Sequence, residues 1–265
     1  MKVEPMEQMQ RLLEIYNAHP CRTLPNAFWK TAIRLPQSRL VVTRDTSDAP
    51  SSLAIWEGER LMAVWCVDPA VHPLTQSEIA SVPFALVHEK ALPIFTQRDF
   101  AVQRPYFRLV HTGGIADTLC PPGFAFERLR PEFDVQAVVS LIHASYEDIR
   151  VSPEIVKAWM CHPVYNPDLW LWIVDLETHQ KAGLGIAEQD PRVPEASLEW
   201  IQVLPSYRGK GVGEAIVMEL VRRVSGSVAF TTVSGELTNV HQPERLYRRC
   251  GFTGEDVWWL LSNAD

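Results

Sequence analysis

The first hydrophobic pattern along the chain is helical. Met6, Met9, Leu13 and Tyr16 recur three and four residues apart, and His19-Pro20 closes the run. A second short helix is predicted from Pro25-Asn26, carrying Phe28, Trp29 and Ile33. Strand-like stretches then take over. Arg39–Thr43, Ser52–Trp56 and Arg60–Val67 read as strands, with Glu57-Gly58-Glu59 as a hairpin turn between the last two. Residues 68–123 are proline-rich; they predict a helix over 75–90 and a strand over Tyr106–His111. His111-Thr112-Gly113-Gly114 and Cys120-Pro121-Pro122-Gly123 are turn-rich. They place a domain boundary near residue 120, giving an N-terminal domain 1–120 and a C-terminal domain 121–265.

The C-terminal pattern is sharper. Phe124–Leu129 predicts a strand. Asp134 is the expected N-cap of a helix whose apolar stripe is Val135, Val138, Val139, Ile142 and Tyr146. Ser152 caps a second helix that has Pro153 in its first position. Leu169–Leu176 and Ala182–Glu188 read as paired strands joined at Thr178–Lys181, and Ser197–Leu204 as another strand. Gly211–Val224 is a helix with Ile216, Val217, Leu220, Val221 and Val224 on one face. Val228–Val233, the short helix Pro243–Cys250 closed by Gly251, and the strand Val257–Leu261 complete the series. Strands and helices mixed in this order imply an α/β (mixed α+β) fold with a mixed sheet.

Composition narrows the function classes. Hydrophobic residues make up 46% and charged residues 22% of 265, which is ordinary globular usage with ample material for a core. Lys+Arg 25 against Asp+Glu 32 gives a net charge of −7, which argues against a nucleic-acid partner. The five cysteines, Cys21, Cys66, Cys120, Cys161 and Cys250, form no CxxC pair, so neither a metal site nor a disulfide framework is expected. The N-terminus is too acidic and proline-broken for a signal peptide, and no apolar run approaches the roughly 20 residues that span a bilayer. A cytoplasmic location with no membrane partner is expected.

The chemistry concentrates in Val203-Leu204-Pro205-Ser206-Tyr207-Arg208-Gly209-Lys210-Gly211-Val212-Gly213, where a strand gives way to a glycine-rich turn and then a helix. Glycines let successive N–H groups converge, and a helix N-terminus adds partial positive charge; together they suit a pyrophosphate. The dinucleotide fingerprint fails because Glu214 holds its last glycine position. The P-loop fails because Lys210 is followed by Gly211. Arg208-x-x-Gly211-x-Gly213 after Val203-x-Pro205 resembles the acyl-CoA loop of the GNAT superfamily of N-acetyltransferases. Downstream, Leu246-Tyr247-x-x-x-Gly251-Phe252 resembles that superfamily's second signature. The resemblance covers about residues 124–265. The first 120 residues carry neither motif: they are either a degenerate copy of the same fold or an unrelated α+β accessory domain.

The resemblance implies a GNAT-type central sheet in the C-terminal half and transfer of an acetyl group from acetyl-CoA to a primary amine, with no metal. It implies that Val203 and Leu204 bind the pantetheine arm through the backbone, and that the pyrophosphate sits on Arg208, Gly209, Lys210, Gly211, Val212 and Gly213. Glu199 is the implied general base and Tyr247 the implied acid toward the thiolate. Another acid-bearing position of the family falls on Ser197. Asn239 is the candidate for the family's asparagine contact to the cofactor, but it stands one residue earlier than usual, where the family's position holds Val240, so either the loop is one residue longer or that contact is absent. Strand parity puts Ser197, Glu199, Ile201 and Val203 on one face. Glu147, Asp148 and Glu188 are candidates for an amine-binding rim, or solvated charges. The acceptor is a small-molecule or peptide amine, and a homodimer is left open. A non-catalytic acyl-CoA sensor is the alternative reading.

Overall fold

The computed structural model describes residues 5–114, 120–145 and 149–263; Tyr146, Glu147 and Asp148, named above, lie outside them. In chain order the first elements are α1 (Pro5–Ala18), α2 (Pro20–Thr23), α3 (Phe28–Ala32), β1 (Arg39–Arg44), β2 (Pro50–Glu57), β3 (Arg60–Cys66), α4 (Gln76–Ser81), β4 (Phe84–His88) and β5 (Val102–Thr112). They are followed by β6 (Phe124–Arg128), α5 (Pro131–Ser145), α6 (Pro153–Met160), β7 (Trp170–Asp175), β8 (Lys181–Gln189) and β9 (Glu195–Val203). The last are α7 (Val212–Val224), β10 (Phe230–Glu236), α8 (Pro243–Arg249) and β11 (Thr253–Ser262). Among the described residues no helix is long and apolar enough to cross a membrane.

The chain folds into two compact units, each assembled from separated stretches. One holds residues 1–110, 232–244 and 253–265; the other holds 111–231 and 245–252. In the first, β2 pairs antiparallel with both β1 and β3, and β3 pairs parallel with β4 through Leu61↔Ala85 and Val64↔Val87. The C-terminal β11 lies between β4 and β5, antiparallel to both, so that Trp258 is opposite His88 on one side and Tyr106 on the other. Leu61, Val64, Val87, Phe95, Phe100 and Leu261 share this unit's core.

One sequence expectation changes in this unit. The helix expected over 75–90 stops at Ser81. Thr75 and Glu78 form a capping box that starts it. Pro83 then blocks continuation, and Phe84–His88 becomes a strand with Ala85 and Val87 in the core.

In the second unit, β6, β7, β8 and β9 form an antiparallel run. Alternation along β7 and β8 assigns the two faces. Trp170, Trp172, Leu184 and Ile186 pack with Val138, Ile142 and Val156 of α5 and α6. Gly183 and Gly185 face the other way, toward α7. A Cβ on Gly185 would lie 2.5 Å from Ile216 Cγ2, so only glycine lets α7 seat this close.

Asp134 is not the N-cap of α5. Pro131 supplies a pre-set φ and needs no acceptor, so the helix starts there. Asp134 sits in the first turn, where its carboxylate accepts the Arg130 N–H at 2.8 Å and the Trp172 indole N–H at 3.1 Å and pairs with Lys181. Ser152 does cap α6, accepting the Ile155 N–H at 3.4 Å.

Candidate active site

The glycine-rich loop is held at its start by Tyr207. Pro205–Tyr207 forms a single 3-10 turn after β9. Tyr207 is buried, donates its hydroxyl to Gln180 Oε1 at 3.0 Å, and meets the Phe124 ring edge-on at 5.9 Å. Gly209 and Gly211 then take φ of +78° and +79°, the left-handed region that penalises any Cβ. Gly211 is the N-cap of α7, and its carbonyl accepts the Ala215 N–H at 3.0 Å. Two left-handed residues separated by one, followed by the unsatisfied N–H groups of a helix's first turn, form a concave set of donors for an anion. A Cβ on Gly209 would meet nothing within 4 Å, so the loop is open at that point.

Gly213 is a packing point. A Cβ there would lie 3.3 Å from Leu246 Cδ2 and 3.6 Å from Val203 Cγ2, so β9, α7 and α8 converge on it. Val212 beside it is buried. The loop is thereby fixed next to the helix that carries Tyr247. Arg208 donates from Nε to the Val203 carbonyl at 3.3 Å, and Lys210 lies over the Tyr207 ring at 4.8 Å. Both cationic side chains are largely exposed.

Val203 and Leu204 differ in what they offer. Leu204 N–H bonds to Ala182 O at 3.0 Å, and Leu204 O accepts the Tyr207 N–H at 2.9 Å, so both its backbone groups are used. Val203 is opposite Gly183, and the Leu204-to-Ala182 bond makes this the non-hydrogen-bonded pair of the ladder. The Val203 N–H and C=O therefore point away from β8, and the carbonyl takes the Arg208 Nε donor.

The strand-parity expectation fails at Glu199. Ile186 pairs with Trp200, but the next residue, Ala187, pairs with Leu198; Glu199 is the extra residue of a β-bulge. The bulge shifts the alternation by one. Ile201 and Val203 sit opposite Gly185 and Gly183 on the α7 face. Ser197 sits opposite Glu188, which shares a face with Ile186 and Leu184 toward α5 and α6. Ser197 donates its hydroxyl to Glu199 Oε1 at 2.8 Å, so the Glu199 carboxylate is also on that face. The Trp200 ring lies there too, stacked on Trp159 of α6 at 5.4 Å and 25°. Neither the Ser197 contact nor the indole pair was visible as a spacing in the sequence.

Tyr247 is buried on α8, and its ring meets Phe252 at 5.8 Å in a T-shaped contact. Gly251, at φ +87°, ends the helix and turns Phe252 back so that its N–H reaches Tyr247 O at 3.1 Å. This explains the Gly-Phe pair at the end of the signature. Burial pushes the Cys250 thiol up to about 12, so it stays protonated near neutrality and is a poor nucleophile. Asn239 lies in the 232–244 stretch, which belongs to the other unit, and its amide oxygen accepts the His241 N–H at 2.9 Å.

Residues 167–254 match the family model described as an acetyltransferase (GNAT) domain. The whole chain resembles a GCN5-related N-acetyltransferase from Sphaerobacter thermophilus, with a TM-score of 0.67 and 16% identity over 97% of this chain and 92% of that one. An acetyltransferase of the GNAT family from Colwellia psychrerythraea gives a TM-score of 0.61 and 13% identity over 98% of each chain. A tandem GNAT protein from the clavulanic acid biosynthesis pathway gives 0.59 and 13%, over 98% of this chain and 95% of that one. No curated protein matches the chain by sequence. At these identities the likeness is one of fold. Because it runs across both halves of the chain, it favours the related-fold reading of the first 120 residues over an unrelated accessory domain.

Proposed function

Residues 167–254 carry a GNAT acetyltransferase domain, and from that premise we propose that the chain moves an acetyl group from acetyl-CoA to a primary amine of a small molecule or peptide, by direct attack with both substrates bound. The observation that carries the reading is the pairing of an open, left-handed Gly209/Gly211 loop at the start of α7 with a strand end whose Val203 N–H turns away from β8. The loop suits a pyrophosphate, and the strand end suits the amide-bearing pantetheine arm that follows it. Bound acetyl-CoA supplies an acyl group activated as a thioester.

An alkyl ammonium with a pKa near 10.4 is neutral in only about one molecule per thousand at pH 7.4, so a base must take its proton. Glu199 is that base, acting directly or through one water, and the bulge turns it toward the α5–α6 face beside Trp200. As the C–N bond forms, negative charge develops on the carbonyl oxygen, and the Val203 N–H is the donor offered to it. When the C–S bond breaks, the Tyr247 hydroxyl gives its proton to the sulfur. The buried, protonated Cys250 beside α8 supports direct attack over relay through that thiol.

The test is thiol release from acetyl-CoA across a panel of amines, with CoA binding measured in parallel by calorimetry. The expected result is micromolar CoA binding and amine-dependent release that drops about 100-fold or more in Glu199→Gln. Binding with no release from any amine would favour the sensor reading; no CoA binding would overturn both.

A further inference from the structure

A cavity of about 260 Å³ opens in the first unit, between the end of α1 and the turn that joins β1 to β2, and none of the site residues argued above lines it. Its floor is apolar: Ile15 and Trp65 line it and are only 5% and 4% exposed, and Pro50 adds to the wall. Its rim is charged, because Glu14 and Arg44 line it and are exposed. Among the described residues the Glu14 carboxylate has no hydrogen-bond or ion-pair partner. The Arg44 guanidinium uses Nη1 alone, donating to the Asp48 carbonyl at 2.6 Å and lying 3.8 Å from the Asp48 carboxylate; its Nε and Nη2 have no partner among the described residues. The wall that carries Arg44 is fixed in advance, since Asp45 accepts the Ser47 and Ala49 N–H groups at 2.8 and 3.0 Å and closes the turn.

We propose that this cavity binds a free α-amino acid with an aromatic side chain: the ring enters against Ile15 and Trp65, the carboxylate meets Arg44 and the ammonium meets Glu14. An apolar floor with a few charged groups at the rim is the usual make-up of a small-molecule site. The volume fits, because a cavity of about 150 Å³ holds a benzene ring and the remainder admits a short polar head. The two rim charges select a zwitterion. A carboxylate alone would sit beside Glu14 as a like charge, and an amine alone would bring a second cation to Arg44. The Nε–Nη2 edge of a guanidinium is the fork that takes a carboxylate by two parallel hydrogen bonds. His19, also at the rim, donates or accepts and so suits either end of the ligand. Binding here uses no residue assigned to acetyl transfer.

The experiment is calorimetric titration of the full chain with L-phenylalanine, free glycine, phenylacetate and 2-phenylethylamine, repeated in Glu14→Gln and Arg44→Gln. Both substituted side chains are exposed, so the fold should persist, and thermal melting confirms it. L-Phenylalanine is expected to bind with Kd between about 0.01 and 1 mM. Phenylacetate lacks the ammonium and 2-phenylethylamine lacks the carboxylate; each should bind at least about 3-fold more weakly. Glycine, with the same charges and no ring, should give no measurable binding. Each variant should weaken L-phenylalanine by about 3- to 30-fold, a charged hydrogen bond at a partly exposed rim. The losses should cross: Glu14→Gln leaves phenylacetate no weaker, and Arg44→Gln leaves 2-phenylethylamine no weaker. No binding of L-phenylalanine at about 10 mM overturns the proposal. So does equal affinity for L-phenylalanine in the wild type and both variants, which would place the ligand elsewhere on the chain. Phenylacetate or glycine binding as tightly as L-phenylalanine would overturn the assigned ligand class.

Discussion

Replacing Gly211 by Asp or by Asn separates charge from shape at the loop. Gly211 has φ +79°, and a Cβ there would meet only Pro121 Cγ, at 3.7 Å, an ordinary contact. Nothing must move to admit the side chain. The backbone cost of holding a non-glycine residue in the left-handed region is about 1–2 kcal/mol, at the lower end for Asp and Asn. For a chain of this size that is a fall of roughly 2–4 °C in Tm per kcal/mol, common to both variants.

The two variants differ in one formal charge. A carboxylate about 6 Å from a single phosphate charge, at an effective dielectric of about 20–40, is repelled by about 1.4–2.8 kcal/mol. That corresponds to about a 10- to 100-fold difference in Kd between Asp and Asn, and the second phosphate of the pyrophosphate adds to it. Calorimetric titration of CoA into both variants reads the difference directly, with thermal melting to confirm matched folding. The gap should narrow as salt is raised, because the loop is exposed and its charges are screened. Equal CoA affinity in the two variants would mean that the pyrophosphate does not lie on this loop, and the assignment of residues 208–213 would be wrong.

Much of this loop was legible in the sequence because its constraints are local. Left-handed φ at Gly209 and Gly211 is a property of those residues, and a strand followed by a glycine turn and an apolar helical stripe is a short-range pattern. At Glu199 the sequence shows an acid on the strand but not the direction its side chain takes. Residues 195–203 contain neither glycine nor proline to flag a bulge, yet one extra residue there moves Ser197 to the face opposite Val203. Asp134 was read one turn late for a similar reason: Pro131 fixes the helix start, while Asp134 is spent on the Arg130 N–H, Trp172 and Lys181, two of them distant in sequence. The strand Val257–Leu261 was evident from its own residues. Its partners β5 and β4 lie about 150 and about 175 residues upstream, and no local signal encodes so non-local a pairing.

The remaining predictions test the acid proposed at Tyr247, the packing and the buried charge. Tyr247→Phe should lower kcat by about 100-fold or more while CoA affinity stays within a few-fold, because the lost proton matters only as the thiolate forms; a near wild-type kcat would reduce Tyr247 to a packing role. Gly185→Ala should cost about 1–3 kcal/mol in urea unfolding, because its Cβ would lie 2.5 Å from Ile216 Cγ2; an unchanged midpoint would mean that α7 is free to shift. Asp134→Asn reports on the buried ion pair. Burial raises this carboxyl, but the bonds from Lys181, the Arg130 N–H and Trp172 outweigh it and hold Asp134 below its usual value. A depressed carboxylate stabilises the fold fully above its unfolded pKa of about 3.9, and that contribution fades as pH falls through the lower folded value. At pH 7 the asparagine variant should therefore lose about 2–3 kcal/mol, less than a fully buried pair, because Lys181 keeps 29% of its side chain in water. Below about pH 4 the wild type begins to lose the same interaction, so the two unfolding curves should draw together as pH falls toward the lower folded value. A gap that stays constant from pH 7 to pH 3 would show that Asp134 acts through its shape and hydrogen bonds alone, with its charge contributing nothing.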